Sequence, residues 1–278
     1  MLNSSAIATV ALVRDTFREA LARRIFIALF GFSTALIVFF LFVMKVDVVQ
    51  GTLATVTLFG KPLEAQSVSQ LVRRAHSTIA AFLFGLGLVL SIFASAGMIP
   101  TLFEPGRIEL ILSKPVSRVQ ILMGRYLGNL LVVASNIVYL VVSVWLIFGA
   151  KTGVWTYQFL YSTVLAVYVF AVLLSVIVFV SVIWDSAVLA TMTTFAIMTA
   201  GSLLAQRALI DRLFGSGVSR STLHGLYYAL PKTWEIGNLC RRLVLGQPID
   251  NWMPIWSSAI FGAIMLSAGL FVFSRRDY

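Results

Sequence analysis

The 278-residue sequence contains one cysteine, Cys240, which excludes a disulfide within the chain and a cysteine-rich metal site. Its two histidines, His76 and His224, are too far apart in sequence to form a His-x-x-x-His metal pair. Charged residues are also scarce, at 12% of the chain, whereas about a quarter is usual for a soluble domain. We therefore predict no metal site in this chain.

Sequence motifs of common enzymes are missing too. A phosphate-binding loop of the form GxxxxGK[ST] is absent, because Gly60-Lys61 is followed by Pro62 and lacks the earlier glycine. There is no GxSxG nucleophile motif and no HExxH metal motif. We predict that the chain has no catalytic residues, is not itself an enzyme and binds no cofactor.

What the chain does contain is apolar residues, at 59% of its length. This excess excludes a cytosolic enzyme, a secreted disulfide scaffold and a disordered tail, and it predicts a lipid bilayer as the surroundings. The formal net charge of +10 then indicates contact with lipid headgroups at the membrane surface. Nucleic acid is not an expected partner.

Stretches free of Asp, Glu, Lys and Arg define the membrane spans, because a helix needs about 20 apolar residues to cross. Between Lys151 and Arg207 the only charge is Asp185, and one straight helix of that length would be far longer than a bilayer is thick. We therefore place a turn at Asp185. The predicted spans are about 25–44, 78–101, 126–148, 159–183, 186–205 and 255–273.

The predicted fold is an all-α, polytopic membrane protein with six transmembrane helices in a single domain, residues 1–278. A β-barrel would need segments that alternate apolar and polar residues, whereas Val164–Ile183 is apolar on every face. Residues Ser5–Arg24 have the periodicity of an amphipathic interface helix, although an ordinary start to the first span is the alternative. Its apolar face is Val10, Val13, Phe17, Ala20 and Leu21, and its charged face is Asp15, Arg18, Glu19 and Arg23. We expect short helices in the loop 206–250, and a short strand pair or a helix in the loop 45–74.

Six spans place both termini on the same side of the membrane. Arg23-Arg24 and Arg275-Arg276 adjoin the first and last spans and favour cytoplasmic termini, whereas Arg73-Arg74 argue for the opposite orientation. We expect the termini and the loop 104–118 to be cytoplasmic and the loop 206–250 to be external.

Two features within the spans leave alternatives open. A stripe of small residues in the fifth span, Ala190, Thr194, Gly201 and Ala205, allows close helix approach, either to a second chain or within this one. Asn129 and Asn136 lie seven residues apart on the third span and either line a polar path or bridge neighbouring helices.

The most informative segment is Glu104–Asn129, with the sequence EPGRIELILSKPVSRVQILMGRYLGN. Residues 107–112 form a short predicted helix that has Ile108, Ile111 and Leu112 on one side and ends before Pro115. A short helix with an apolar side, held outside the membrane between two spans, fits a groove on another protein. A solvated turn is the alternative.

This segment resembles the cytoplasmic loop of ABC transporter permeases of the type-2 exporter superfamily, such as multidrug permeases and the permease of the nitrous-oxide-reductase maturation exporter. The departures are Arg107 for the usual threonine, Arg125 for lysine and a shortened Glu-Pro-Gly spacing. The C-terminal residues FSRRDY resemble the ending of these permeases. The matching loop residues are Glu104, Gly106, Glu109, Leu110, Leu112, Ser113, Pro115, Val116, Ser117, Arg118, Gly124, Leu127 and Gly128.

The resemblance implies a permease subunit of an ATP-driven exporter in the bacterial inner membrane. It implies two copies of a separate ATPase subunit, which hold ATP and Mg, and a second permease chain that is identical or different. It also places the fifth span near the permease–permease contact. A membrane scaffold or assembly factor, and a channel, are the alternatives. The implied ATPase-coupling residues are Glu104, Gly106, Arg107, Ile108, Glu109, Ile111, Leu112, Ser113, Pro115, Arg118 and Asp185.

Overall fold

The computed structural model describes the larger part of the chain, and every structural statement below concerns that part. The described residues are 2–42, 45–49, 53–58, 61–62, 66–103, 106, 116–206 and 225–276. Within them, six helical segments are long and apolar enough to cross a membrane, as the sequence predicts. These segments are Arg24–Phe42, Val68–Phe103, Arg118–Thr152, Tyr157–Trp184, Ala187–Leu204 and Met253–Arg275.

The N-terminal amphipathic helix α1, Leu2–Ala22, is separate from the first span α2, Arg24–Phe42, because the chain bends at Arg23. Helix α1 packs along the third span rather than continuing α2. The predicted interface helix is therefore confirmed as an element of its own. The predicted apolar face is packed in part: Ala20 is buried and Val13 and Phe17 are partly buried, whereas Val10 and Leu21 are exposed. Thr16, which was not assigned to that face, is also buried.

A small antiparallel sheet follows α2, which agrees with the strand pair, one of the two alternatives predicted for this loop. Strand β1, Lys45–Val49, pairs with β2, Leu53–Leu58, in the register Asp47 to Thr55. Two shorter strands, β3, Lys61–Pro62, and β4, Gln66–Ser67, also pair with β2. The sheet connects the first two spans, on the side of the bundle opposite α1.

The second span is a composite helix. It consists of α3, Val68–Phe82, a π-helical turn at Leu83–Gly87, α4, Leu88–Ala96, and a 3-10 turn at Pro100–Phe103. The helix begins about ten residues before the predicted span because Arg73 and Arg74 are good helix formers, so the charges limit the apolar stretch without ending the helix.

Helix α5, Arg118–Thr152, is the third span, and α6, Tyr161–Trp184, is the fourth. Helix α6 lies at the centre of the bundle. Of an apolar 18-residue stretch in each span, 72% is buried in the fourth span, against 17% in α2 and in the last span. The predicted turn at Asp185 is present. Asp185 has φ of 51° and ends α6, and the side chain of Ser186 then caps α7, Ala187–Leu204.

The loop before the last span contains the predicted short helix, α8, Thr233–Val244, and a helical turn at 225–229. The last span is α9, Met253–Arg275, which packs along α6. The segment before α8 is fastened to α9, since the Lys232 amide donates to Ser258 Oγ at 2.9 Å.

Candidate functional site

The loop between the second and third spans carries most of the predicted coupling residues, and the structure describes its two ends. Phe103, Gly106, Val116 and Ser117 are described, and Gly106 is exposed with φ of 81°. Predicted coupling residues outside the described residues are Glu104, Arg107, Ile108, Glu109, Ile111, Leu112, Ser113 and Pro115.

The loop ends in a capping box that starts α5. The Ser117 hydroxyl accepts from the Gln120 amide at 3.2 Å, and the Ser117 amide donates to Gln120 Oε1 at 2.9 Å. These reciprocal bonds satisfy backbone groups that a helix N-terminus leaves unpaired. The capping box therefore fixes the direction in which the loop enters α5.

Arg118 and Asp185, both predicted as coupling residues, lie close together in the structure. The Arg118 guanidinium donates to the main-chain carbonyl of Arg276, just past the end of α9. The Arg276 guanidinium in turn pairs with both oxygens of Asp185, at 2.8 and 2.5 Å, and donates to the carbonyl of Val182. Arg276 therefore links the start of α5 to the turn between α6 and α7.

The other end of the loop meets the same C-terminal segment. The rings of Phe103 and Phe273 are 5.8 Å apart in an edge-to-face arrangement. The Arg276 guanidinium also lies over the Phe103 ring, at 5.8 Å from its centroid, within the range of a cation–π contact. Both ends of the loop thus contact the C-terminal end of α9.

A second ionic cluster joins the loop ends to α1. Arg125 on α5 is 5% exposed, and its guanidinium pairs with the carboxylate of Glu19. The other Glu19 oxygen pairs with Arg23 at 2.9 Å. Arg23 also donates to the Gly97 carbonyl at 3.2 Å and to Thr101 Oγ1 at 3.0 Å, at the end of the second span.

Two glycines of the family motif allow this approach of α1 to α5. A Cβ on Gly124 would lie 2.8 Å from Leu12 Cβ, and a Cβ on Gly128 would lie 2.5 Å from Thr16 Cβ. Both distances are below any ordinary contact, so α1 reaches α5 only because these positions lack a side chain. The Gly-Arg-Tyr-Leu-Gly sequence at 124–128 therefore combines a helix-packing surface with a buried cation.

We call the six charged residues of these two clusters the loop base: Glu19, Arg23, Arg118, Arg125, Asp185 and Arg276. The sequence predicts Arg118 and Asp185 as coupling residues, and it places Glu19 and Arg23 on the charged face of α1, opposite the apolar face. The structure instead directs Glu19 and Arg23 towards α5 and the second span. The i,i+4 spacing of Glu19 and Arg23 was visible in the sequence, but their partner Arg125 lies more than a hundred residues away.

The small-residue stripe of the fifth span packs within the chain. Ala190 and Thr194 are 0% exposed, and a Cβ on Gly201 would lie 2.6 Å from the Pro231 carbonyl oxygen. Ala205 is partly buried. The alternative interpretation, packing within one chain, therefore accounts for these residues. A contact between two permease chains at α7 stays a prediction, and residues on its exposed face, such as Val188 and Met192, would carry it.

The two asparagines of α5 differ in their surroundings. Asn129 is fully buried and donates from Nδ2 to the Ser95 carbonyl at 3.3 Å, which bridges α5 to the second span. Asn136 lines a cavity of about 210 Å³ between α2, the second span and α5. The described residues therefore show a bridging role for Asn129 and a cavity position for Asn136.

Six helices that can span a membrane and a separate N-terminal helix packed on the third span define a multi-pass membrane domain. The sequence matches the description of an ABC-2 family transporter protein over residues 10–278. The chain therefore belongs to the ABC-2 transporter family. Membership of this family makes it a permease subunit of an ABC transporter. A comparison with curated proteins gave no match.

Proposed function

We propose that the chain is the permease subunit of an ATP-driven exporter in the bacterial inner membrane, with both termini and the loop 104–118 in the cytoplasm. It pairs with a second permease chain, and two separate ATPase subunits bind beneath the pair. The loop base carries this proposal, because it connects the loop mechanically to four parts of the bundle. Those parts are α1, the end of the second span, the turn between α6 and α7, and the end of α9.

The loop transmits the movement of the ATPase to the spans. Its apolar side, Ile108, Ile111 and Leu112, fills a groove on the ATPase, and its charges fix the orientation. When the ATPase subunits close on ATP, the displacement passes through Arg118 and Arg276 to Asp185. It also passes through Thr101 and Arg23 to α1.

The test is co-purification with a tagged ATPase encoded beside this gene, together with ATPase and transport assays in vesicles. We expect Ile108→Ala with Leu112→Ala to release the ATPase or to uncouple hydrolysis from transport. Buried apolar side chains at the centre of an interface often contribute about 2 kcal/mol or more each. Expression and membrane insertion should be unchanged, as measured by the amount of the variant in the isolated membrane fraction.

Two controls sharpen this test. Leu131→Ala with Val138→Ala truncates two exposed apolar side chains on α5 and should leave ATPase recovery unchanged. Glu109→Lys alone should mainly change the salt sensitivity of association, because exposed ion pairs contribute only about 0–1 kcal/mol. Full ATPase recovery and normal transport in the double alanine variant would reject the coupling role of the loop. If no ATPase binds even the unaltered chain, a scaffold or channel function is favoured.

A further inference from the structure

The cavity beside Asn136 lies within the membrane-spanning part of the bundle. It has a volume of about 210 Å³ and lies between α2, the second span and α5. Asn136 is near the middle of the 35-residue helix α5, at a depth that corresponds to the centre of the bilayer. Engineered cavities of about 150 Å³ admit a benzene molecule, so this one is large enough for part of an aliphatic chain.

The wall of the cavity is mainly apolar and its mouth is open to the outside of the chain. Leu36, Ile137 and Leu140 line it. The phenylalanines at its mouth include Phe32, which is 38% exposed, and Phe82, which is 51% exposed. At this depth, the surroundings of an exposed phenylalanine are hydrocarbon. A ligand can therefore enter from the lipid phase without crossing water.

The π-helical turn of the second span contributes to this wall. A π-turn spans five residues per hydrogen bond, so it widens the helix locally, and such turns often occur at functional sites. Leu83 and Gly87 belong to the turn and line the cavity. The Gly87 carbonyl accepts from the Ser91 hydroxyl at 2.8 Å, and the Thr78 hydroxyl donates to the Arg74 carbonyl at 3.0 Å. These two hydroxyl groups are thus engaged within their own helix.

Asn136 has an unpaired polar group. Its side chain is 5% exposed, and its Oδ1 atom is buried with no hydrogen-bond partner in the described part of the chain. A buried amide without a partner destabilises the fold, so the position favours an additional hydrogen-bonding group. The other polar side chains of the wall are the hydroxyl groups of Ser33, Thr78 and Ser91, and those of Thr78 and Ser91 already donate within their own helix.

We propose that this cavity binds an aliphatic molecule with a single hydroxyl group, a medium-chain alcohol or a lipid chain that carries one. The chain packs against the apolar wall, and the hydroxyl group bonds to the Asn136 amide. A hydroxyl group both donates and accepts, so it satisfies the amide whichever way the amide is turned. The binding site does not rest on the proposed coupling to an ATPase, and it is tested on the chain alone.

The experiment uses photolabelling of the purified full-length chain in lipid nanodiscs. The probe is a medium-chain alcohol with a diazirine in its chain, and mass spectrometry locates the labelled residues. We expect labelling of residues that line the cavity. Unlabelled alcohol should compete about five- to tenfold better than the alkane of the same length, as expected for one hydrogen bond in an apolar site.

Three variants decide the assignment. Asn136→Leu should remove the preference for alcohol over alkane, whereas Asn129→Leu, the same change seven residues earlier and outside the cavity, should keep it. Ser33→Leu should fill the cavity and reduce labelling by the diazirine alcohol. Each variant is first checked for folding by size-exclusion chromatography. If Ser33→Leu does not fold, the comparison of Asn136→Leu with the unaltered chain decides alone.

Two results would overturn the proposal. One is labelling that is spread over the lipid-facing residues, such as Leu131 and Val138, and is not reduced by unlabelled alcohol. The other is an alcohol preference that persists in Asn136→Leu. Loss of ATPase binding in the loop variants has no bearing on either measurement, so this site and the coupling loop can fail independently.

Discussion

At the scale of single residues, Glu19 is the carboxylate that holds the second ionic cluster of the loop base together. Its carboxylate is shared between two guanidinium groups, one of which, Arg125, is almost fully buried. Removing one partner of a buried ion pair leaves the other charge without compensation. The ion pairs of Glu19 therefore make α1 an integral part of the folded bundle.

We expect Glu19→Ala to lower the free energy of unfolding by about 3 kcal/mol, the lower end for a broken buried pair, because Glu19 itself is partly exposed. Thermal unfolding of the detergent-solubilised chain measures this. The double variant Glu19→Ala with Arg125→Met should recover much of the loss, since it removes the buried charge as well. If the double variant is no more stable than Glu19→Ala, the loss does not come from an unpaired Arg125.

Cys240 on α8 provides a second residue-scale prediction. The thiol is 0% exposed, and burial raises the pKa of Cys240 to about 12. A raised pKa favours the neutral thiol, whereas the thiolate is the reactive form. At pH 8 the folded chain should therefore not be alkylated by maleimide, and reaction should begin only on unfolding, when the pKa returns to about 8.5.

Mass spectrometry after timed alkylation measures this directly. The control is Gln247→Cys, an exposed position just after α8, which should take one label in the folded chain. Rapid modification of Cys240 at pH 8 in the folded chain would show that α8 does not pack over it as described.

At the scale of elements, the contact between α1 and α5 depends on Gly128. A side chain there would collide with Thr16 and with the Val13 carbonyl oxygen, which a Cβ would approach to 3.1 Å. We expect Gly128→Leu to displace α1 and to expose it to limited proteolysis. The matched control is Gly31→Leu on α2, where nothing lies within 4 Å of the added Cβ. Equal protease resistance of the two variants would contradict the close packing of α1.

The sequence predicted the helices better than it predicted their ends. Charge-free windows identify apolar length, so they located all six spans, and Asp185 marked the turn because a lone charge in such a window cannot lie at mid-membrane. The windows missed the first turns of α3 and α5, where Arg73 and Arg118 are helical. The pairing of Arg125 with Glu19 could not be predicted either, because helical periodicity relates residues within one helix and this ion pair joins α5 to α1.

At the scale of the whole molecule, the loop base shows which segments share a side. Contacts of Arg23 with Thr101 and of Arg276 with Asp185 bring together α1, the end of the second span, the α6–α7 turn and the end of α9. The opposite side carries exposed aromatic side chains at helix ends, as expected of an interfacial belt. They include Trp155, Tyr157, Trp234, Trp252 and Trp256.

We expect the loop-base side to be cytoplasmic. In a Cys240→Ala background, a membrane-impermeant maleimide added to intact cells should label Gln247→Cys and leave Ser113→Cys unmodified until the membrane is opened. The reverse pattern would invert the proposed orientation. It would also exclude binding of a cytoplasmic ATPase at residues 104–118.

The π-helical turn at Leu83–Gly87 affects how relatives of this chain should be aligned. Each residue rotates an α-helix by about 100°, so one residue gained or lost inside a span turns every later side chain away from its neighbours. A π-helical turn contains one more residue than an α-helical turn, and deletion of that residue restores the α-helix. A one-residue gap in this span therefore belongs at 83–87. With the gap there, His76 before it keeps its stacked ring Phe159, and Ser95 after it keeps its hydrogen bond to Asn129.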